Sequence, residues 1–359
     1  MVFSTWAGFA PARQTTDGRQ RMMDIGKRTS GKRIVLVTGG GGFLGGAIVR
    51  NLIARGESVR SFSRAHYARL DALGVEQVQG DLGDISAVTK ACQDVEAVFH
   101  VASKTGVWGS YQDFYRPNVL GTENIIGACR QCGVQRLIYT SSPSVVFDGG
   151  DMDGVDESVP YPASFHTHYT HTKALAERKV LKAAAEGLAA VVLRPHLIWG
   201  PGDTHLAPRI IARAHRLRQI GDGMNKVDTI YIDNAAHAHV LAEEGLAKKP
   251  HLSGRVYFIS QDQPIALWEM INRILAAGGK SPVTKTISPT VAYLAGALYE
   301  GIYRLLRLRG EPPMTRFVAR ELSTSHWFNI QAAKTDLGYC PIVSTEEGLK
   351  RLAEWLQAQ

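Results

Sequence analysis

Several features common in other protein classes are scarce here. Four cysteines in 359 residues (Cys92, Cys129, Cys132 and Cys340) are too few and too scattered for a disulfide framework, which fits a reducing, cytoplasmic compartment. Cys129 and Cys132 have CxxC spacing. They fall at the end of a predicted helix rather than at its start, where a thiolate would be stabilised, so no redox or metal role is expected. The N-terminal stretch holds arginine, serine and threonine but no apolar run resembling a signal-peptide core, and secretion is not expected. A basic stripe is also missing. Of the net charge of +8, five units belong to Met1–Arg33, which carries seven Lys/Arg against two Asp. The other 326 residues carry only +3, so no nucleic-acid partner is expected. No metal is expected either. His166, His168 and His171 are spaced two, three and five apart, which does not put all three on one helix face, and no cysteine or carboxylate completes a set.

What the chain does have is alternation. Apolar runs at 34–38, 57–63, 75–79, 97–101, 136–140 and 190–194 are separated by helix-length segments. Strands apolar on both faces imply a parallel sheet covered on both sides, and an α/β, doubly wound Rossmann architecture is predicted. One long helix is expected from about Asp113 to Cys132, and another carrying Tyr169 and Lys173 to about Glu186. The expected organisation is a disordered basic tail at 1–31, a dinucleotide-binding domain at 32–200 with 226–260 returning to the sheet, and a smaller, mostly helical cap at 201–225 and 261–359.

Two segments carry chemistry. The first strand runs into Gly39-x-x-Gly42-x-x-Gly45 and leaves as a helix. Gly39 allows the tight turn, Gly42 lets the backbone approach a pyrophosphate, and Gly45 permits close helix–strand packing, while the helix N-terminus offers N–H groups to the anion. At the end of the second strand an acidic residue would bind a ribose 2′-hydroxyl. Ser63 and Arg64 stand there instead, and an arginine pairs with a 2′-phosphate, so NADP(H) is the expected cofactor. Asp81 is placed to meet the adenine amino group.

The second segment is Ser142 followed by Tyr169-Thr-His-Thr-Lys173. Residues four apart share a helix face, so the Lys173 ammonium is expected beside the Tyr169 phenol, lowering its pKa from near 10. Tyr169 then acts as acid or base, with Ser142 (Ser141 and Ser144 being alternatives) holding a substrate oxygen. Hydride transfer between a nicotinamide and a carbonyl or alcohol carbon follows.

From Lys32 onward these residues resemble the extended short-chain dehydrogenase/reductase family, in TGGGGFLG at 38–45, GDL at 80–82, FHVAS at 99–103, NVLGT at 118–122, YTSSPSV at 139–145, YTHTK at 169–173 and LRPHLIWGPGD at 193–203. The last motif, with the late segment 227–236, is similar to the 3β-hydroxysteroid dehydrogenase branch. The resemblance implies Ser142, Tyr169 and Lys173 as catalytic residues with Asn118 in support. It also implies Lys173 on the nicotinamide ribose, Pro195 near the nicotinamide, and Phe43, Leu44, Leu82 and Ala102 among the cofactor contacts. A narrower resemblance, carried by 106–116, 142–152, 225–237 and 309–318, is to bacterial reductases of 2-alkyl-3-oxoalkanoates in long-chain olefin biosynthesis. Steroid-active relatives usually carry an acidic residue after the second strand and use NAD; Ser63-Arg64 favours a reductase here. The implied substrate is lipid-like, and a homo-oligomer is expected.

Trp108, Trp199, Arg209 and Tyr231 are candidate pocket residues. Residues 287–306 are apolar and near membrane-span length, but Glu300 and Arg304 would be costly at a bilayer centre. The favoured reading is a cap helix whose Leu294, Leu298, Ile302 and Leu305 wall an apolar pocket. A helix lying on a membrane, or meeting a partner protein through 287–309, is the alternative.

Overall fold

Strands that are apolar on both faces are stable only between two covering layers, and the sheet obeys this. The structure is a computed structural model describing residues 33–359; the tail expected at 1–31 lies outside the described residues. Seven parallel strands form the main sheet: β1 (Ile34–Thr38), β2 (Ser58–Ser63), β3 (Glu76–Gln79), β4 (Ala97–His100), β5 (Arg136–Thr140), β6 (Ala190–Pro195) and β7 (Val256–Ile259). Their spatial order is β7-β6-β5-β4-β1-β2-β3, so the winding reverses beside β1 and opens a crevice there at the carboxyl ends. The register sets Thr38 against Phe62 and His100, and Thr140 against Leu193.

The helices α1 (Phe43–Ala54), α2 (Ile85–Ala91), α3 (Gly121–Cys132), α4 (His168–Ala185) and α5 (Ile232–Lys248) cover the sheet. Side chains alternate along each strand. Val35 and Val37 enter a core shared with α1 and α5, whereas Leu36 enters one shared with α2, α3 and α4. Cys92 and Cys129 are buried in the second core.

The helix expected from Asp113 to Cys132 is three pieces: Tyr111–Tyr115, a wide π turn at Arg116–Leu120, and α3. Pro117 has no N–H to continue the ladder, and the turn widens around it.

The cap has its own four-stranded sheet, from Ile265–Ala266, Lys226–Val227, His326–Phe328 and Met152–Val155. With it go α6 (Leu267–Ala277), α7 (Pro289–Leu305) and α8 (Arg316–Glu321), packed through Val227, Trp268, Ile271, Ala292 and Ala319. Three expected boundaries change. Met152–Val155, inside the expected 32–200 domain, pairs in the cap sheet. Of 226–260 only Val256–Ile259 returns to the main sheet as a strand, because Lys226–Val227 belongs to the cap sheet and Ile230–Tyr231 pairs with Ile198–Trp199. The end of the chain does not stay in the cap. Ala333, Leu337 and, on α9 (Thr345–Gln357), Leu352 join the core that holds Val35 and Val37.

Candidate active site

At the crevice, Gly39 has φ +70, and a Cβ there would lie 3.2 Å from Ala102. A Cβ on Gly45 would run into the Gly39 carbonyl. Gly42 opens α1 with no side chain capping it, and Phe43 and Leu44 form its first turn. This is a cradle that side chains would fill and that an anion suits. Beside it, the buried hydroxyls of Ser63 and Ser141 have no hydrogen-bond partner among the described residues. Orphaned buried hydroxyls are uncommon in folded proteins, and both fit a polar ligand in the crevice.

Arg64 is exposed at the exit of β2. Two neighbours that sequence reasoning missed lean over the turn. The Tyr67 ring fills the space a Cβ on Gly41 would need, and the Arg69 guanidinium donates to the Gly41 carbonyl. Their nearness to Arg64 in sequence was the available signal. Asp81 accepts from the Gly83 N–H at 2.7 Å and faces Arg116 at 3.6 Å, and Leu82 is buried next to it.

The proton-transfer group comes from β5 and α4. Ser142 lies two residues past the end of β5 and caps a short 3₁₀ turn, its hydroxyl 2.9 Å from that of Ser144. A capping box between Thr167 and Thr170 starts α4 just before Tyr169 and fixes where that phenol points. Burial pushes the Tyr169 phenol up to about 12, although a hydrogen bond with Ser142 pulls the other way. The expected contact with Lys173 is absent. Lys173, 2% exposed, donates instead to the Tyr139 phenol at 2.9 Å and the Thr140 carbonyl at 2.6 Å. The desolvation of its buried ammonium pulls Lys173 down to about 7, against the opposing pull of Glu177. The Tyr169 phenol is thus shifted up by burial rather than down by a neighbouring ammonium.

Supporting groups link these pieces. Asn118, on the π turn, holds both the N–H and C=O of Lys104 and donates to Thr172 at 3.1 Å. His100 joins Thr38 at 2.9 Å to Thr122 at 3.0 Å, and burial holds it neutral with a pKa of about 3. Glu177, one turn beyond Lys173, pairs with buried Arg194 and accepts from the Tyr161 phenol. Pro195 ends β6 and is buried; next to it His196 meets His326 at 3.1 Å, and His326 meets the Glu321 carbonyl at 2.8 Å. Glu321 is held up at about 7 by burial, and its charge bears on Tyr169. No sequence signal could have found it, since more than 150 residues separate the two.

A groove of about 1170 Å³ runs between the loop before α4 and the helices α7 and α8, with Thr167 and His168, the neighbours of Tyr169, in its wall. Of the four pocket candidates only Trp108 lines it. Trp199 and Tyr231 are core residues, 0% and 2% exposed and packed edge to face, with the indole N–H satisfied by Thr229. Arg209 is paired with Glu311. The leucine wall is overturned too. Leu294, Leu298 and Leu305 are 61%, 64% and 83% exposed, while α7 turns Ala292, Gly296 and Glu300 inward. The three histidines take different partners: His166 contacts the Asp148 carbonyl, His168 meets Tyr111 edge-on, and His171 stacks on Phe165.

Comparison with known proteins adds to this geometry. A model of the 3-beta hydroxysteroid dehydrogenase/isomerase family matches residues 36–287. A 2-alkyl-3-oxoalkanoate reductase of Stenotrophomonas maltophilia (strain K279a) is 52% identical over 323 residues, covering 89% of this chain and 98% of the relative. A second protein of that name, from Shewanella oneidensis, is 51% identical over 326 residues, covering 88% and 84%. Among solved structures, MoeE5 in complex with UDP-glucose and NAD superposes with a TM-score of 0.70 at 26% identity, covering 90% of this chain and 98% of the other.

Proposed function

Because the chain belongs to the 3-beta hydroxysteroid dehydrogenase/isomerase family, we propose that it is an NADPH-dependent reductase of long-chain 2-alkyl-3-oxoalkanoates, forming the 3-hydroxy acids. An oxidoreductase acting on a CH–OH or C=O group with a nicotinamide dinucleotide is the common ground of the family and its neighbours. The reductase reading is carried by one observation: two 2-alkyl-3-oxoalkanoate reductases are 52% and 51% identical to the chain over most of its length.

A reduced nicotinamide bound in the crevice would supply the hydride for the 3-carbonyl carbon. Tyr169 gives its phenolic proton to the carbonyl oxygen, and Ser142 holds that oxygen in line. Gly39, Gly42 and Gly45 would hold the pyrophosphate with Phe43 and Leu44, and Ser63 and Arg64 the 2′-phosphate, with Asp81, Leu82, Ala102 and Pro195 beside them. Lys173, held at Tyr139 and Thr140, would be the residue to reach the nicotinamide ribose, and Asn118 keeps the 104 peptide and Thr172 fixed. The product is the 3-hydroxy acid of the olefin-forming route that the narrower resemblance implies.

The test is a panel of 2-alkyl-3-oxo acids with NADPH or NADH, set beside 3β-hydroxysteroids with NAD or NADP. Preferred turnover of the branched oxo acids with NADPH is expected. A preference for steroids with NAD would overturn this reading.

A further inference from the structure

We infer that the outer face of α7 and the turn after it, residues 291–309, form a docking surface for an anionic lipid membrane. Seven of the twelve large hydrophobic side chains exposed among the described residues fall here: Val291, Leu294, Leu298, Tyr299, Leu305, Leu306 and Leu308. Single exposed leucines are ordinary, but a cluster on one helix face marks an interaction site. The packing shows why this face is outside. Gly296 brings α7 against the Thr315–Arg316 backbone, where a Cβ would come within 2.6 Å, and Glu300 accepts from the Arg316 N–H at 2.8 Å. The cap closes on small residues and one carboxylate, and the leucines are left over.

Charge identifies what covers them. Between Lys280 and Gly310 stand Lys280, Lys285, Arg304, Arg307 and Arg309, and the sole acid, Glu300, is buried against Arg316. Arg304 turns to Glu300 and the Trp108 ring, which leaves Arg307 and Arg309 exposed next to Leu305, Leu306 and Leu308 with no carboxylate among them. A second copy of the chain docked face to face about a two-fold axis would set these arginines against one another. An anionic bilayer satisfies both parts, with the leucines entering the acyl boundary and the arginines meeting lipid phosphates. The helix lies on the membrane rather than through it, since no helix among the described residues is long and apolar enough to cross. Its inner side, Tyr293 and Glu300, lines the groove beside Tyr169, so the surface sets that groove next to the lipid phase.

The experiment is co-sedimentation of the full chain with vesicles of phosphatidylcholine alone or with added phosphatidylglycerol. The parent protein is expected to pellet with the anionic vesicles and to be released by salt. A Leu294→Glu, Leu298→Glu variant and an Arg307→Glu, Arg309→Glu variant should each lose at least about tenfold in binding. Both should keep the parent's melting midpoint and its turnover of a short, water-soluble substrate. The charge-reversed pair lies beyond α7 and touches no core, so it remains informative if the leucine pair misfolds. No vesicle binding, equal binding by parent and variants, or a patch-dependent dimer that ignores vesicles would each overturn the inference. Sedimentation does not depend on turnover, so a failed reductase assay leaves this result readable.

Discussion

Lys173 and Tyr139 are joined by a 2.9 Å hydrogen bond that ties α4 to the end of β5 directly beneath the reacting groups. Tyr169, one turn earlier on the same helix, is left to Ser142. The two roles stay separate. Lys173 braces strand against helix, and burial raises the phenol.

Replacing Tyr169 by Phe should lower turnover at least about a hundredfold, the lower end of what a positioned general acid contributes. Cofactor affinity, read by fluorescence titration, should hardly change. In the parent, reduction should show no alkaline loss from Tyr169 until the pH nears about 12, because the raised phenol stays protonated. Oxidation of the alcohol needs the phenolate and should climb with pH over the same range. Near-parental turnover in Tyr169→Phe would contradict the assignment, and an alkaline limb well below pH 12 that vanished in this variant would keep Tyr169 as the acid but overturn its raised pKa.

Arg64→Ala removes an exposed cation with no carboxylate partner among the described residues. A charge-assisted hydrogen bond contributes about 1.5–3 kcal/mol, so NADPH should bind more weakly by that amount while NADH binds as before. Equal loss for both cofactors would move the 2′-phosphate elsewhere, with Arg69 the next residue to test.

Glu177→Gln leaves the Arg194 guanidinium, 3% exposed, without its counter-charge. Breaking a buried pair from one side costs about 3–5 kcal/mol. Thermal unfolding should show a clear drop for this variant, and a Glu177→Leu, Arg194→Met double variant should recover much of it. A double variant no better than the single would mean that the hydrogen bond from Tyr161, not the charge, is what Glu177 supplies.

Asp228 is buried, with one carboxylate oxygen on the Phe328 N–H at 2.8 Å and the other lacking a partner. Burial lifts its pKa from 3.8 to about 7. A raised carboxyl favours the protonated fold, so its contribution is fully present below about 3.8 and is lost as pH rises through about 7. Asp228→Asn keeps the acceptor and cannot ionise. It should melt higher than the parent above pH 7, with the advantage fading toward pH 4. A gain independent of pH would rule out ionisation as its source.

The elements that build the crevice were legible because they are local. The turn from Thr38 to Gly45 and the helix holding Tyr169 and Lys173 each lie within one strand–helix unit, though the spacing of four did not bring Lys173 to the Tyr169 phenol. What the spacing of α7 could not give was the sign of its amphipathicity. Two faces were visible, and the leucine face was the natural one to bury. The line Ala292, Gly296, Glu300 was the better guide, since small residues four apart let another backbone come close. Trp199 and Tyr231 misled for a related reason: an aromatic near a site in sequence can fill the core as readily as a pocket. The hydrogen bond from Lys173 to Tyr139 and the nearness of Glu321 to Tyr169 join distant segments, and no local pattern encodes them.

The π turn at Arg116–Leu120 imposes a constraint on length. A wide turn holds one residue more than an α-helical turn, and one residue amounts to about 100° of rotation. Deleting Pro117 would let the helix close into a regular ladder, swing Tyr111–Tyr115 about its axis and pull Asn118 off both groups of Lys104. Such a chain would keep Gly39, Ser142, Tyr169 and Lys173 unaltered. Related sequences one residue shorter at this place would pass every comparison of motifs while lacking the brace that holds them in register.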